Sequence, residues 1–76
     1  MEAKYDYGDV VTFDAANGIV SGIIAIIDEN GIFKDNSSVY YDILDKKANM
    51  LYKHVKESWI VEKIGEVDPK TVWEKL

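Results

Sequence analysis

Apolar residues along this chain recur with the two-residue period of strands, and only the last few positions carry a helical spacing. Segments 10–13, 19–27, 39–44, 50–55 and 59–64 are rich in Val, Ile, Tyr and Trp, the β-branched and aromatic types that suit a half-buried pleated surface. Polar and glycine-bearing stretches separate them, which predicts five strands. In 39–44 the residues Val39, Tyr41 and Ile43 share one face, and Tyr40, Asp42 and Leu44 share the other. Segment 19–27 is apolar on both parities with Gly22 in its middle. It reads as a bent strand with a bulge or a close backbone approach. Two Asn-Gly pairs, Asn17-Gly18 and Asn30-Gly31, mark hairpin turns because both residue types tolerate positive φ. Residues 34–38 make a polar loop, and 45–49 make a turn that joins the third and fourth strands. Inward parity predicts a core of Val11, Phe13, Val20, Ile24, Ile26, Val39, Tyr41, Ile43, Leu51, Val55, Val61 and Ile64.

The character changes after Gly65. Asp68-Pro69 is a helix start, with Asp as N-cap and Pro at the first helical position. Val72, Trp73 and Leu76 then share one face of a helix too short to persist unless it docks. The expectation is that Trp73 lies on the strands, closing one open end, with Val72 or Leu76 beside it.

A chain of 76 residues accommodates one domain. The absence of cysteine removes disulfides and every thiolate chemistry. The longest apolar run, 23–27, is far too short to span a bilayer, and the first residues lack a secretory signal, so a cytoplasmic protein without membrane contact is expected. The net charge is −5 and unevenly spread: all four charged residues of 46–56, namely Lys46, Lys47, Lys53 and Lys56, are basic. A globally negative surface repels phosphate backbones at long range. Nucleic acid is thus the disfavoured partner, with those four lysines as the alternative binding residues.

Five short strands with frequent turns suit a small barrel, since closure hides strand edges. The stretch Gly8-Asp9-Val10-Val11-Thr12-Phe13, then Gly18-Ile19-Val20-Ser21-Gly22-Ile23-Ile24, Val39-Tyr40-Tyr41-Asp42-Ile43 and Val55-Lys56-Glu57-Ser58-Trp59-Ile60-Val61, resembles small bacterial SH3-like barrel proteins of the kind found in prophages and mobile elements. The resemblance covers about residues 7 to 64 and implies a mainly β fold: a five-stranded SH3-like barrel over residues 1–66, finished by a short 3₁₀ turn into the last strand. Residues 67–76 form a C-terminal helical tail packed on it. Ala3-Lys4-Tyr5-Asp6-Tyr7 is also similar to the opening of eukaryotic SH3 domains, but the tandem tryptophan of their proline-peptide groove has no counterpart here.

The chemistry-bearing residues point away from catalysis. His54 is the single histidine, and Ser21, Ser37, Ser38 and Ser58 lie in no nucleophile context. The acidic turns around Asp28-Glu29 and Asp35-Asn36 lack the ligand spacing of a calcium loop. Carboxylate pairs such as Asp6 with Asp9, or Asp42 with Asp45, would have to converge to share a proton. The expectation is no enzyme, no catalytic residue, no metal and no cofactor. The aromatic residues are a stronger lead, because Tyr5, Tyr7, Tyr40, Tyr41, Tyr52, Trp59 and Trp73 exceed what five short strands bury. Clustered on an outer face, Tyr40, Tyr52 and Trp59 would form an anchor patch for a protein partner or a second copy of the chain. The resulting picture is a non-enzymatic protein-binding module, monomeric or weakly dimeric.

Overall fold

The computed structural model describes residues 3–29 and 39–72. It is mainly β, with five antiparallel strands in one sheet: β1 (Asp9–Asp14), β2 (Ile19–Asp28), β3 (Tyr40–Asp45), β4 (Met50–Lys56) and β5 (Ile60–Glu66). The spatial order is β4-β3-β2-β1-β5. The five segments expected from the alternation are therefore the five strands. Asn30-Gly31, the loop 34–38, Trp73 and Leu76 fall outside the described residues.

Strand β2 serves both halves of the sheet. Its first half pairs with β1, from Asp14↔Ile19 to Val10↔Ile23, and its second half pairs with β3, from Ile23↔Leu44 to Asp28↔Tyr40. The bend between them has two causes. At Gly22 a Cβ would lie 2.6 Å from Ile43 Cγ2 and 2.9 Å from the Leu44 carbonyl oxygen, so only glycine lets β3 pass this close. At Ala25 the register slips: Ile24 faces Ile43 but Ile26 already faces Asp42, leaving Ala25 as the extra residue of a bulge.

That bulge corrects the expected core. Ile24 and Ala25 are both buried, and parity is reversed beyond them, so Ile26 is 43% exposed. The same cause acts twice in β5. Its pairing with β1 skips Ile64 between Val10↔Gly65 and Val11↔Lys63, and skips Val61 between Thr12↔Glu62 and Phe13↔Ile60. Val61 and Ile64, both expected inside, are 58% and 54% exposed, while Ile60 takes the inward place. Val20 and Leu51 are half-buried. The rest of the expected set holds, and the main cluster consists of Val11, Phe13, Ile24, Val39, Tyr41, Ile43, Val55 and Ile60.

The Asn17-Gly18 pair does mark a hairpin, between β1 and β2, but not as a two-residue turn. The loop has four residues, 15–18, between the paired Asp14 and Ile19. Ala15 N–H donates to the Gly18 carbonyl at 2.9 Å, and Asn17 N–H donates to the Ala15 carbonyl at 2.7 Å. The second bond closes a γ-turn around Ala16, whose φ is 69°. Positive φ thus falls on Ala16 and on Gly18, at 141°, and not on Asn17.

The tail begins with the expected Asp68 cap, and among its described residues the regular structure is a single 3₁₀ turn, Pro69–Thr71, in place of the expected helix. The Asp68 carboxylate accepts from Lys70 N–H at 3.0 Å. Val72 is 2% exposed and packs with Ala25 and Leu44, on the side of the sheet opposite the main cluster. Lys46 Nζ donates to the Thr71 carbonyl at 2.7 Å and fastens the same segment. The described part of the tail therefore covers the outer face of β2 and β3, which is where the polar-face residue Leu44 finds its cover.

Two expected outcomes follow. Ile24→Ala should lower unfolding free energy by about 2–5 kcal/mol, whereas the same change at Ile26 should cost under about 1 kcal/mol. Urea melts of the pair check the bulge, and equal losses would contradict it. Truncation after Val67 uncovers Ala25 and Leu44, so the urea midpoint should fall; an unchanged midpoint would show that the tail contributes nothing.

Candidate binding hollow

Strands β1 and β4 are separated in the sheet by β2 and β3, yet their side chains meet: the Phe13 and Tyr52 rings stack edge to face, with centroids 5.2 Å apart at 75°. The sheet therefore curls until β4 faces the end of β1, without closing onto it. The gap between them is an open hollow of about 370 Å³, lined by Phe13, Asp14, Ala15, Ala16, Tyr52, Lys53, Val55 and Trp59.

Each wall has a local cause. Phe13 lies at the inward position of β1, with Asp14 after it at the strand end. The Asp14 carboxylate accepts from Ala16 N–H at 3.1 Å, which holds the Ala15-Ala16 lip against the strand. On the other side β4 carries a bulge, in which Lys53 and His54 together oppose Asp42. His54 takes φ 58°, and its N–H donates to Asp42 Oδ1 at 2.9 Å. The bulge lets Tyr52 and Val55, three residues apart, both turn toward the hollow. Lys53 stands at the rim with no carboxylate within ion-pair distance among the described residues. Trp59 closes the end of the hollow from the 3₁₀ turn Glu57–Trp59 and is 50% exposed.

The 3₁₀ turn is held by a polar cluster. Tyr41, buried in the core, donates its hydroxyl hydrogen to Glu57 Oε2 at 2.6 Å and accepts from Tyr5 N–H at 3.3 Å. Lys4 N–H donates to the same Glu57 oxygen at 3.1 Å, and Glu57 N–H donates to the Val39 carbonyl at 3.0 Å. Tyr5 adds an edge-to-face contact on Tyr41, with centroids 5.9 Å apart. Burial, and then the bond to the Glu57 carboxylate, push the Tyr41 phenol well above its ordinary range. Tyr5 of the opening segment thus braces the core through Tyr41, which with Lys4 N–H fixes Glu57 and, two residues on, Trp59, whereas Tyr7 is 49% exposed.

The expected aromatic triad is brought together in part: Tyr52 and Trp59 share the hollow, whereas Tyr40 is half-buried opposite Asp28 and Lys56 and is not among its walls. The lysines do not form one cluster. Lys46 is engaged with the Thr71 carbonyl, Lys47 sits beside it in the β3–β4 turn, and Lys56 ends β4 about 20 Å away at the usual rise per strand residue. Only Lys53 touches the hollow. Asp14, Ala15 and Ala16 were absent from the sequence-based candidates.

The suggested carboxylate pairs are each occupied otherwise. Asp9 accepts from Asp6 N–H at 2.9 Å and meets Lys63 Nζ at 3.2 Å. That cation also bonds Glu66, and the two acids raise its pKa, Glu66 more than Asp9. Asp45 accepts from Lys47 N–H and Ala48 N–H. Among the described residues no three acidic or histidine side chains gather as metal ligands, and no helix is long and apolar enough to cross a membrane. Comparison with protein-family models, with curated proteins and with solved structures gives no match for this chain.

Removing the Tyr41 hydroxyl takes one of two donors from the half-buried Glu57 oxygen and the acceptor from Tyr5 N–H, so Tyr41→Phe should cost about 1–3 kcal/mol. The pH dependence has a definite sign. A phenol whose folded pKa is raised contributes stability that is complete below the unfolded value of about 10 and lost above it, because the unfolded chain then gives up its proton first. Wild-type stability should therefore fall more steeply above about pH 10 than that of Tyr41→Phe, as read from denaturant melts across the alkaline range. Parallel profiles would contradict the assignment.

Proposed function

We propose that this chain is a non-enzymatic protein-binding module built as an SH3-like barrel, and that its hollow between β1 and β4 receives an apolar side chain of a protein partner. The fold reading is supported by the strand order with β1 between β2 and β5, the bent ten-residue β2 and the 3₁₀ turn between β4 and β5. The single observation that carries the functional reading is the hollow itself: three aromatic rings, Phe13, Tyr52 and Trp59, line a concavity that the core leaves unfilled. Large aromatic surfaces around an apolar recess are the usual anchors of protein interfaces, because they bury much area with few rotatable bonds. Lys53 and Asp14 place one charge of each sign among its walls, which suits polar contacts around an apolar centre.

The experiment is a pull-down from lysate of the host cell with the wild type and Trp59→Ala, followed by titration of the recovered partner. Because Trp59 is half exposed, its removal should leave thermal stability nearly unchanged while weakening the partner by about 2 kcal/mol, roughly thirtyfold. Identical prey for the two proteins would remove the hollow from consideration. Prey lost on nuclease treatment would direct attention to Lys46, Lys47, Lys53 and Lys56 instead.

A further inference from the structure

The loop that forms one lip of the hollow contains Asn17-Gly18, and both residues are exposed. We propose that Asn17 is a site of spontaneous deamidation, a slow chemical modification of the folded protein that needs water and hydroxide and no enzyme. The reaction requires the backbone nitrogen of the following residue to reach the Asn side-chain carbonyl carbon. Three features of the loop meet that need.

The first is steric. Space around Gly18 is open to the extent that a Cβ built there would meet nothing within 4 Å, so no neighbour hinders ring closure. The second is hydrogen bonding: the loop bonds use Ala15 N–H, Ala16 N–H, Asn17 N–H and the Ala15 and Gly18 carbonyls, and Gly18 N–H makes none of them. The nitrogen that must lose its proton is therefore presented to solvent. The third is strain, since the γ-turn holds Ala16, next to Asn17, at φ 69°, where a side chain is poorly accommodated.

Hydroxide removes the Gly18 amide proton, and the resulting anion attacks Asn17 Cγ. A nitrogen–Cγ bond forms, the Cγ–Nδ2 bond breaks, and Nδ2 leaves as ammonia after taking a proton from water. The five-membered imide that remains adds water at either carbonyl. Opening of the nitrogen–Cγ bond gives aspartate at position 17, and opening on the other side gives isoaspartate, in which the chain runs through the side-chain carbon. Either product adds a negative charge to the loop that follows Asp14. Isoaspartate also inserts a methylene into the backbone between Ala15 and Gly18, so the 2.9 Å bond between them cannot persist unchanged. The lip of the hollow is altered in both products, whatever partner the hollow serves.

The test is to incubate the folded protein at mildly alkaline pH and 37 °C, and to follow it by peptide mapping and by methyl transfer from labelled S-adenosylmethionine with a protein-isoaspartate methyltransferase. Asn49, followed by Met50 in the other described hairpin turn, is the internal reference. Asn17 should convert severalfold faster than Asn49, faster still at higher pH, with isoaspartate in the 15–19 peptide. Asn17→Gln should lose the methyl acceptor from that peptide while keeping the wild-type melting profile. An Asn17 that survives the folded incubation as long as Asn49, while converting rapidly in the urea-unfolded chain, would overturn the proposal.

Discussion

The long strand β2 has to belong to two differently oriented halves of one sheet, and nearly every other feature adjusts to that requirement. It pairs with β1 over its first five residues and with β3 over the remainder, so Ile23 bonds on both sides and the strand must turn between them. Gly22 permits the close passage of β3, and the Ala25 bulge supplies the twist. With β2 straight, β4 would lie flat beyond β3 and Phe13 would have no Tyr52 to meet. The bend thus creates the core and the hollow in one step. The core is the concave side filled by Val11, Ile24, Tyr41 and Ile43, and the hollow is the gap left where the curled sheet stops short of closing.

The two free edges that remain are managed by irregularity. β5 carries bulges at Val61 and Ile64, and β4 carries one at Lys53 and His54. Bulges twist an edge and interrupt its row of donors and acceptors, which discourages another strand from adding to it. This gives the exposed Val61 and Ile64 a physical account: they are the residues displaced by the bulges that keep the edge from templating a neighbour. Ile60, at the regular position, carries the burial for the strand. The tail uses the opposite device, covering Ala25 and Leu44 with Val72 on the outer face.

This division explains how far the sequence could be read. Alternation located β1 and β3 with their inward residues, because pattern and pairing agree there: Val11 and Phe13, then Tyr41 and Ile43. It failed at Ile26, Val61 and Ile64. A bulge is decided by the register against a partner strand distant in sequence, and a window of a few residues carries no trace of that register. Gly22 was legible as the place of a bend with a bulge or a close backbone approach; the close approach is at Gly22, and the bulge lies three residues later at Ala25. Asn17-Gly18 placed a hairpin correctly, but the loop length was set by the pairing of Asp14 with Ile19, so Gly18 keeps a positive φ while the other falls on Ala16 in place of Asn17. In the hollow, Tyr52 and Trp59 were legible as surplus aromatics. Tyr40 shares their chemistry but stands outside the walls. Asp14, Ala15 and Ala16 carry no signal of their own; they reach the hollow only because the curl brings the end of β1 opposite β4.

Backbone strain is distributed in a way that bears on the hollow. Among the described residues three non-glycine residues take positive φ: Ala16 at 69°, Asn49 at 53° and His54 at 58°. Asn49 ends a tight turn, where its side chain suits that conformation, and Asp45 already caps the turn. Alanine has no such excuse of residue type, and glycine would relieve Ala16 by roughly 1 kcal/mol, whereas histidine is accommodated there more readily. Ala16 forms one lip of the hollow, and His54 lies between the lining residues Lys53 and Val55 on the other. Each strained residue is stabilised by a carboxylate gripping a backbone N–H: Asp14 holds Ala16, and Asp42 holds His54. The polar grip of Tyr41 and Glu57 on the 3₁₀ turn completes the arrangement by fixing Trp59 at the third side. The shape of the hollow is thus set by charged groups bonded to backbone, and its apolar walls remain free for whatever they meet.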